Sequence, residues 1–372
     1  MGKRKNKPFV RFVIAMAGLL FVLGTALIWL KPESPQNELK LAREALYSAQ
    51  KAGAEEYAKP FYKEAKQFYD SAMNSWSAQN ERLFLRRDYE QVLSFINLTI
   101  EKATKAEQNS LQRIKNTNVI VRCGIDDLEK KVKLYNRIYK KMPLSMGIRK
   151  SHNLGVMKLS EAKIANDSGR YNEAFVSYKE AADLLNSSNN KAEQILKAWF
   201  SYYPNWEKMG ADAIRLSRGG HKIIVVDKIA HQCFVYQNGK SIKAFNADLG
   251  VNWMGDKRHK GDKATPEGIY RVMQKKEGSC TKFHRALLIN YPNDEDKQRF
   301  DSEKKKGTLS FRIHIGNLIE IHGLGGKGID WTDGCIALNN EDMDVLFRLI
   351  DNGISVIIVG SLKPLNEIYE IN

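Results

Sequence analysis

Two short stretches hold residues whose types and spacing suit covalent catalysis. Ile319-Glu320-Ile321-His322-Gly323 delivers a histidine at the end of an apolar run, and Trp331-Thr332-Asp333-Gly334-Cys335-Ile336-Ala337-Leu338 opens a second apolar run on a Gly-Cys pair. A thiol needs a base to become a thiolate near neutral pH, and the oxyanion it creates on a carbonyl needs hydrogen-bond donors. A His on one strand end and a Cys on a neighbouring one supply base and nucleophile. Gly334 lets the backbone turn sharply, so that the amides beside Cys335 point at a reacting carbonyl. Taken singly, the same residues read as a buried cysteine and a core histidine, because free Cys is among the most buried residue types.

The context favours the chemical reading. His-Gly, a short gap and then Thr-x-Gly-Cys resembles the L,D-transpeptidase (YkuD-type) catalytic domain, a cysteine enzyme family of bacterial cell-wall synthesis. A second segment, Gly261-Asp262-Lys263-Ala264-Thr265-Pro266-Glu267-Gly268-Ile269-Tyr270, resembles that family's Gly-x-x-x-Thr-Pro-x-Gly-x-Tyr/Phe stretch. The resemblance runs over residues 222–360 and does not cover what precedes about 220. It departs from the common pattern in two places. Ala337 stands where Arg is usual, and Thr332-Asp333-Gly334-Cys335 replaces Ser-His-Gly-Cys. With Tyr291-Pro292-Asn293 upstream, this variant is similar to the branch that includes enzymes acting on the murein–lipoprotein linkage. That leaves the direction of the chemistry open but keeps the nucleophile.

The resemblance implies Cys335 as nucleophile, His322 as base and Gly334 with Cys335 as oxyanion donors, with no cofactor and no metal. Gly323, Lys327, Trp331, Thr332 and Asp333 are expected to line the substrate site. Lys327 is placed to face a substrate carboxylate and stand in for the missing Arg, unless it is simply a solvated lysine. Asp333 either orients His322, as a carboxylate does in a triad, or braces the turn. His314 is the rival base but lacks the His-Gly pattern, and His259 and His284 have no partner visible in sequence. Gly323 to Gly328 formally matches G-x-G-x-x-G, but a β run and not a helix follows, which argues against a dinucleotide site.

The 372 residues suggest more than one core. The net charge is +16, which suits anionic membrane surfaces or cell-wall polymers, and no nucleic-acid-binding motif accompanies it. Of the four cysteines, Cys123, Cys233, Cys280 and Cys335, the last must stay free to act as nucleophile. No Cys-x-x-Cys spacing supports zinc.

Residues 12–30 are uncharged and follow a basic N-terminus. This predicts a transmembrane anchor over 1–31, a single-pass inner-membrane protein and an extracytoplasmic, periplasmic catalytic domain. Residues 36–200 carry apolar positions at 3-4 spacing, as in Leu39, Ala42, Leu46 and Ala49, and again in Tyr62, Ala65, Tyr69, Ala72 and Trp76. They predict an all-α domain that packs on itself or binds an envelope partner. The turn Ser168-Gly169-Arg170-Tyr171 resembles that of a tetratricopeptide repeat. A linker is expected over 201–220. From 221 to 372 short β runs predict a β-rich, sandwich or barrel-like domain with one clear helix after Asn340. Asn238-Gly239 marks a hairpin. A strand is expected over 311–315, and the polar stretch 293–307 is expected as a surface loop.

The sequence thus predicts a multidomain protein acting on peptidoglycan stem peptides by L,D-transpeptidation through an acyl-thioester. Hydrolysis by the same residues, and a non-catalytic envelope-binding scaffold, are the alternatives.

Overall fold

The stripes of small and apolar residues before position 220 become helices. The computed structural model describes residues 7–29 and 33–370. Backbone contacts form two compact units, Met1–Ile125 with Glu161–Tyr178, and Asp126–Ser160 with Lys179–Asn372. The ranges of α5 (Glu90–Arg137), α6 (Met146–Asp167) and α7 (Tyr171–Phe200) are divided between them.

The first unit also holds α1 (Lys7–Trp29), α2 (Gln36–Lys51), α3 (Ala54–Tyr57) and α4 (Lys59–Asn80). The expected stripes become two apolar clusters. One gathers Ala49, Ala54, Tyr62, Ala65, Ala103 and Ala106; the other gathers Leu39, Ala42, Ala72, Tyr89, Val92 and Ile96. Alanine at the contacts lets helix axes approach closely. Leu93 and Ile125 lie on the single 48-residue α5.

The expected membrane anchor is corrected. Among the described residues no helix is long and apolar enough to cross a membrane. Leu30 lies outside the described residues. The single-pass inner-membrane and periplasmic placement inferred from that anchor is withdrawn with it.

The second unit is built on one mixed sheet with order β3-β2-β1-β8-β4-β5-β6-β7. Its strands are β1 (Ile223–Asp227), β2 (Gln232–Gln237), β3 (Lys240–Asn246), β4 (Gly268–Glu277), β5 (Arg285–Ile289), β6 (Glu320–His322), β7 (Ile336–Ala337) and β8 (Ser355–Val359). Asn238 and Gly239 both take positive φ, 53° and 75°, the geometry a two-residue hairpin needs. The ten-residue β4 pairs with β8 through its first four residues and with β5 through the rest. Beyond β3 the chain returns to the other end of the sheet, where Asp248 bridges Ala337 and Gly250 bridges Thr332. The sheet therefore curls on itself, and of the two expected β architectures the barrel-like one describes it.

Helices α8 (Tyr203–Ser217), α9 (Asp294–Lys305), α10 (Asn340–Leu349) and α11 (Leu365–Glu370) complete this unit. Residues 203–217, inside the stretch expected as a linker, are helical, and Trp206 is buried there. The polar stretch at 293–307 is mostly α9 instead of a loop. Asn293 accepts from the Asp296 amide while Asp296 accepts from the Asn293 amide, a reciprocal cap that starts a helix whose one apolar side chain, Phe300, is buried. No strand forms over 311–315.

Lys228 is fully buried. Its three N–H donors are used by Gly255 O at 2.7 Å, Thr265 O at 2.8 Å and Glu267 Oε1 at 2.8 Å. Glu267 also accepts from the indoles of Trp199 at 3.1 Å and Trp206 at 2.9 Å. Removing one partner of such a pair strands a charge in the interior. Glu267→Ala should lower the unfolding free energy by about 3–5 kcal/mol in urea denaturation. Adding Lys228→Met should return part of the loss. A wild-type midpoint for Glu267→Ala would show that the pair carries no weight.

Candidate active site

The sheet register brings the two expected reactive residues together. β6 and β7 are parallel neighbours, with Ile321 opposite Ile336 and His322 opposite Ala337. Ile321 and Ile336 are fully buried and take one face of the sheet. Side chains alternate along strands, so Glu320 and His322 share the other face with Ala337 and with Cys335, one register step back. His322 and Cys335 are thus diagonal neighbours on adjacent strands.

One hydrogen bond sets the histidine's chemistry. His322 Nδ1 lies 2.6 Å from Gly323 O. A carbonyl can only accept, so Nδ1 carries the proton and Nε2 keeps a free lone pair. The ring is stacked flat on Phe283, centroids 3.5 Å apart at 9°, and meets Trp331 edge-on at 6.0 Å. Burial holds its pKa below the ordinary imidazole value, with the Gly323 carbonyl pulling the other way. Burial also pushes the Cys335 thiol up to about 11, opposed in part by the positive charges of Lys257 and Lys282. Cys335 Sγ faces Leu318 O at 3.7 Å. At neutral pH the resting pair is therefore a thiol beside a neutral imidazole.

The turn that presents Cys335 is held from several sides. Thr332 Oγ1 accepts from the Gly334 amide at 3.1 Å and donates to Cys335 O at 2.7 Å. Gly334 has φ +127°, and a Cβ there would sit 2.4 Å from Ala264 O, so only glycine fits. Lys257, 3% exposed, donates to Asp333 O at 3.1 Å and to Asp262 Oδ1 at 2.8 Å. Asp262 also collects the amides of Arg258, His259 and Ala264. The Thr265 hydroxyl accepts from the Gly250 amide at 2.9 Å. The second sequence motif thus braces the first.

Not every expected residue has the expected place. The Gly334 amide, predicted as an oxyanion donor, is committed to Thr332. Thr332 is buried and shapes the turn. Gly323 is buried; it accepts from His322, donates to Arg285 O at 3.0 Å and would clash with Asn340 if it carried a Cβ. Asp333 is exposed and its carbonyl takes Lys257, while the His322 ring is oriented by Gly323. Lys327 Nζ lies 3.6 Å from the Trp331 ring centroid. The Lys327 amide and the Trp331 indole both donate to buried Asp248. His314 is exposed and off any strand. His259 contacts the neighbouring Lys260 carbonyl, and His284 contacts Asp344 at 2.7 Å.

Lys257, Phe283, Lys282 and Glu320 were not singled out from sequence. Glu320 pairs with Lys276 at 2.8 Å. A cavity of about 750 Å³ lined by Tyr203, Ile214, Phe234, Trp253 and Leu362 lies in the same unit but includes neither Cys335 nor His322.

Residues 221–359 match the family model of YkuD, the L,D-transpeptidase catalytic domain. No curated protein matches the chain. Solved structures similar to part of it include an L,D-transpeptidase from Xylanimonas cellulosilytica, at 15% identity and TM-score 0.26, covering 38% of this chain and 61% of that one. L,D-transpeptidase 1 of Mycobacterium tuberculosis is 18% identical at TM-score 0.24, with 37% and 61% covered. An L,D-transpeptidase from Stackebrandtia nassauensis is 16% identical at TM-score 0.26, with 38% and 56% covered. The chain thus spans about three fifths of the length of the first of these.

The lowered His322 pKa sets the acid limb of any reaction through this pair. Above that pKa the imidazole is neutral and can take a proton; below it the base is lost. Acylation of Cys335 should therefore hold down to below about pH 6.5 before it falls. His322→Ala should slow it by about 10²–10⁴, with partial rescue as the pH climbs towards the thiol's own value of about 11. His314→Ala should change little. A stopped-flow pH profile of thioester formation checks all three, and an acid limb above pH 7 would contradict the neutral-imidazole assignment.

Proposed function

We propose, from the match of residues 221–359 to the L,D-transpeptidase catalytic domain model, that this protein is a cysteine-dependent peptidoglycan L,D-transpeptidase working through an acyl-thioester on Cys335. The observation that carries the reading is the Nδ1–H of His322 on Gly323 O, which leaves Nε2 basic on the strand face shared with Cys335. His322 Nε2 takes the thiol proton as Sγ attacks the carbonyl between an L-configured centre and a following D-amino acid in a stem peptide. The developing oxyanion lies against the Cys335 amide. His322 returns the proton to the leaving amine as the C–N bond breaks, and the acyl-thioester remains. An acceptor amine, from a second stem or from a protein lysine, then attacks. It loses a proton to His322, and the departing Cys335 thiolate takes that proton back.

Water in place of the amine makes the same residues a hydrolase. Mass analysis of muropeptides after incubating the protein with purified sacculi separates the outcomes: new cross-links or attached protein support transfer, and cleaved links alone support hydrolysis. Cys335→Ala should abolish both with an unchanged circular dichroism spectrum. Turnover surviving in that variant would remove Cys335 as the nucleophile.

A further inference from the structure

Two lysines stand over the two rings that contact His322. Phe283 stacks flat on the imidazole, and Lys282 Nζ lies 5.1 Å from the Phe283 centroid. Trp331 meets the imidazole edge-on, and Lys327 Nζ lies 3.6 Å from the Trp331 centroid. The lysines come from separate loops, one just before β5 and the other just after β6, and both are exposed.

Their charges differ in status from the other cations near the pair. Lys257 is neutralised by Asp262 and Lys276 by Glu320. Among the described residues, Lys282 and Lys327 have aromatic faces as partners and no carboxylate. A ring quadrupole holds an ammonium in place without cancelling its charge. The mount of Lys327 is rigid, because buried Asp248 accepts from the Lys327 amide at 2.9 Å, the Gly328 amide at 3.1 Å and the Trp331 indole at 3.3 Å. Both charges reach the reacting pair: each disfavours protonation of His322, and Lys282 also acts on Cys335. Two unneutralised cations near a nucleophile attract an anion and give charge-assisted hydrogen bonds to it.

Resting on the reading of Cys335 and His322 as the reacting pair, we infer that Lys282 and Lys327 form a two-point carboxylate receptor. The acyl donor is then an anionic peptide with a free carboxylate beside the scissile carbonyl, and the same peptide with that group as carboxamide is discriminated against. The lysines choose the substrate, and the Cys–His pair performs the transfer.

Calorimetry on the full chain carrying Cys335→Ala tests this without turnover. The probes are one synthetic stem-type peptide with its side-chain carboxylate free and the same peptide amidated. The free acid should bind on the order of tenfold tighter or more, and the preference should shrink as salt is raised. Lys282→Gln with Lys327→Gln should erase the preference at an unchanged melting temperature, while Lys327→Arg should keep it. Equal affinity for the two peptides, binding of neither, or a preference that survives the double substitution would overturn the receptor. If the preference holds and the protein with Cys335 intact still transfers nothing to sacculi, the receptor stands and the transpeptidase reading falls.

Discussion

The buried pairing of Lys228 with Glu267 is the constraint on which the second unit turns. Every donor of the ammonium is used, and the carboxylate also receives two indole N–H groups from the helices that precede the sheet. An ion pair without solvent is tolerable only when its hydrogen bonds are complete. That condition fixes the path of residues 255–267, and this path sets the boundary of the turn that presents Cys335. Ala264 supplies the carbonyl that excludes any side chain at 334, Thr265 holds the Gly250 amide, and Asp262 holds Lys257 against Asp333. The aromatic residues at the end of the helical region are thus part of the second unit's own core, where Trp199, Phe200 and Trp206 join Trp253.

The pair of His322 and Cys335 obeys a different logic. Neither group carries charge at rest, because burial disfavours both the imidazolium and the thiolate. Reactivity is therefore a property of the geometry between them, set by the Gly323 carbonyl on one side and the Thr332 hydroxyl on the other.

What could be read from the sequence was local and periodic. The strands flanking His322 and Cys335, the Asn238-Gly239 hairpin and the alanine stripes follow from spacing alone. Helix α9 is hard to read because Phe300 is its single apolar residue and gives no period, although Asn293 and Asp296 carry a readable capping signal. The apolar alternation at 311–315 suggested a strand that has no neighbour to pair with. Lys257, Phe283 and Lys282 were out of reach for another reason. They meet the site only through the sheet order, which puts β5 beside β6 and folds the segment after β3 back to β7. The Gly334 amide was assigned to the oxyanion because sequence shows a glycine's freedom but not which hydroxyl will occupy its N–H.

The neutral thiol has a consequence for survival. Peroxides and simple alkylating agents consume thiolates, and their rates follow the ionised fraction. A cysteine with its pKa pushed up to about 11 presents almost none of that species to solvent. Oxidation of Cys335 to the sulfenic acid is thereby expected to run more slowly than that of an ordinary thiol. On the proposed mechanism, it becomes nucleophilic only when a carbonyl is seated and His322 can take its proton in the same step. On the proposed mechanism, the burial that makes the residue look inert in isolation would also keep its sulfur reduced between turnovers.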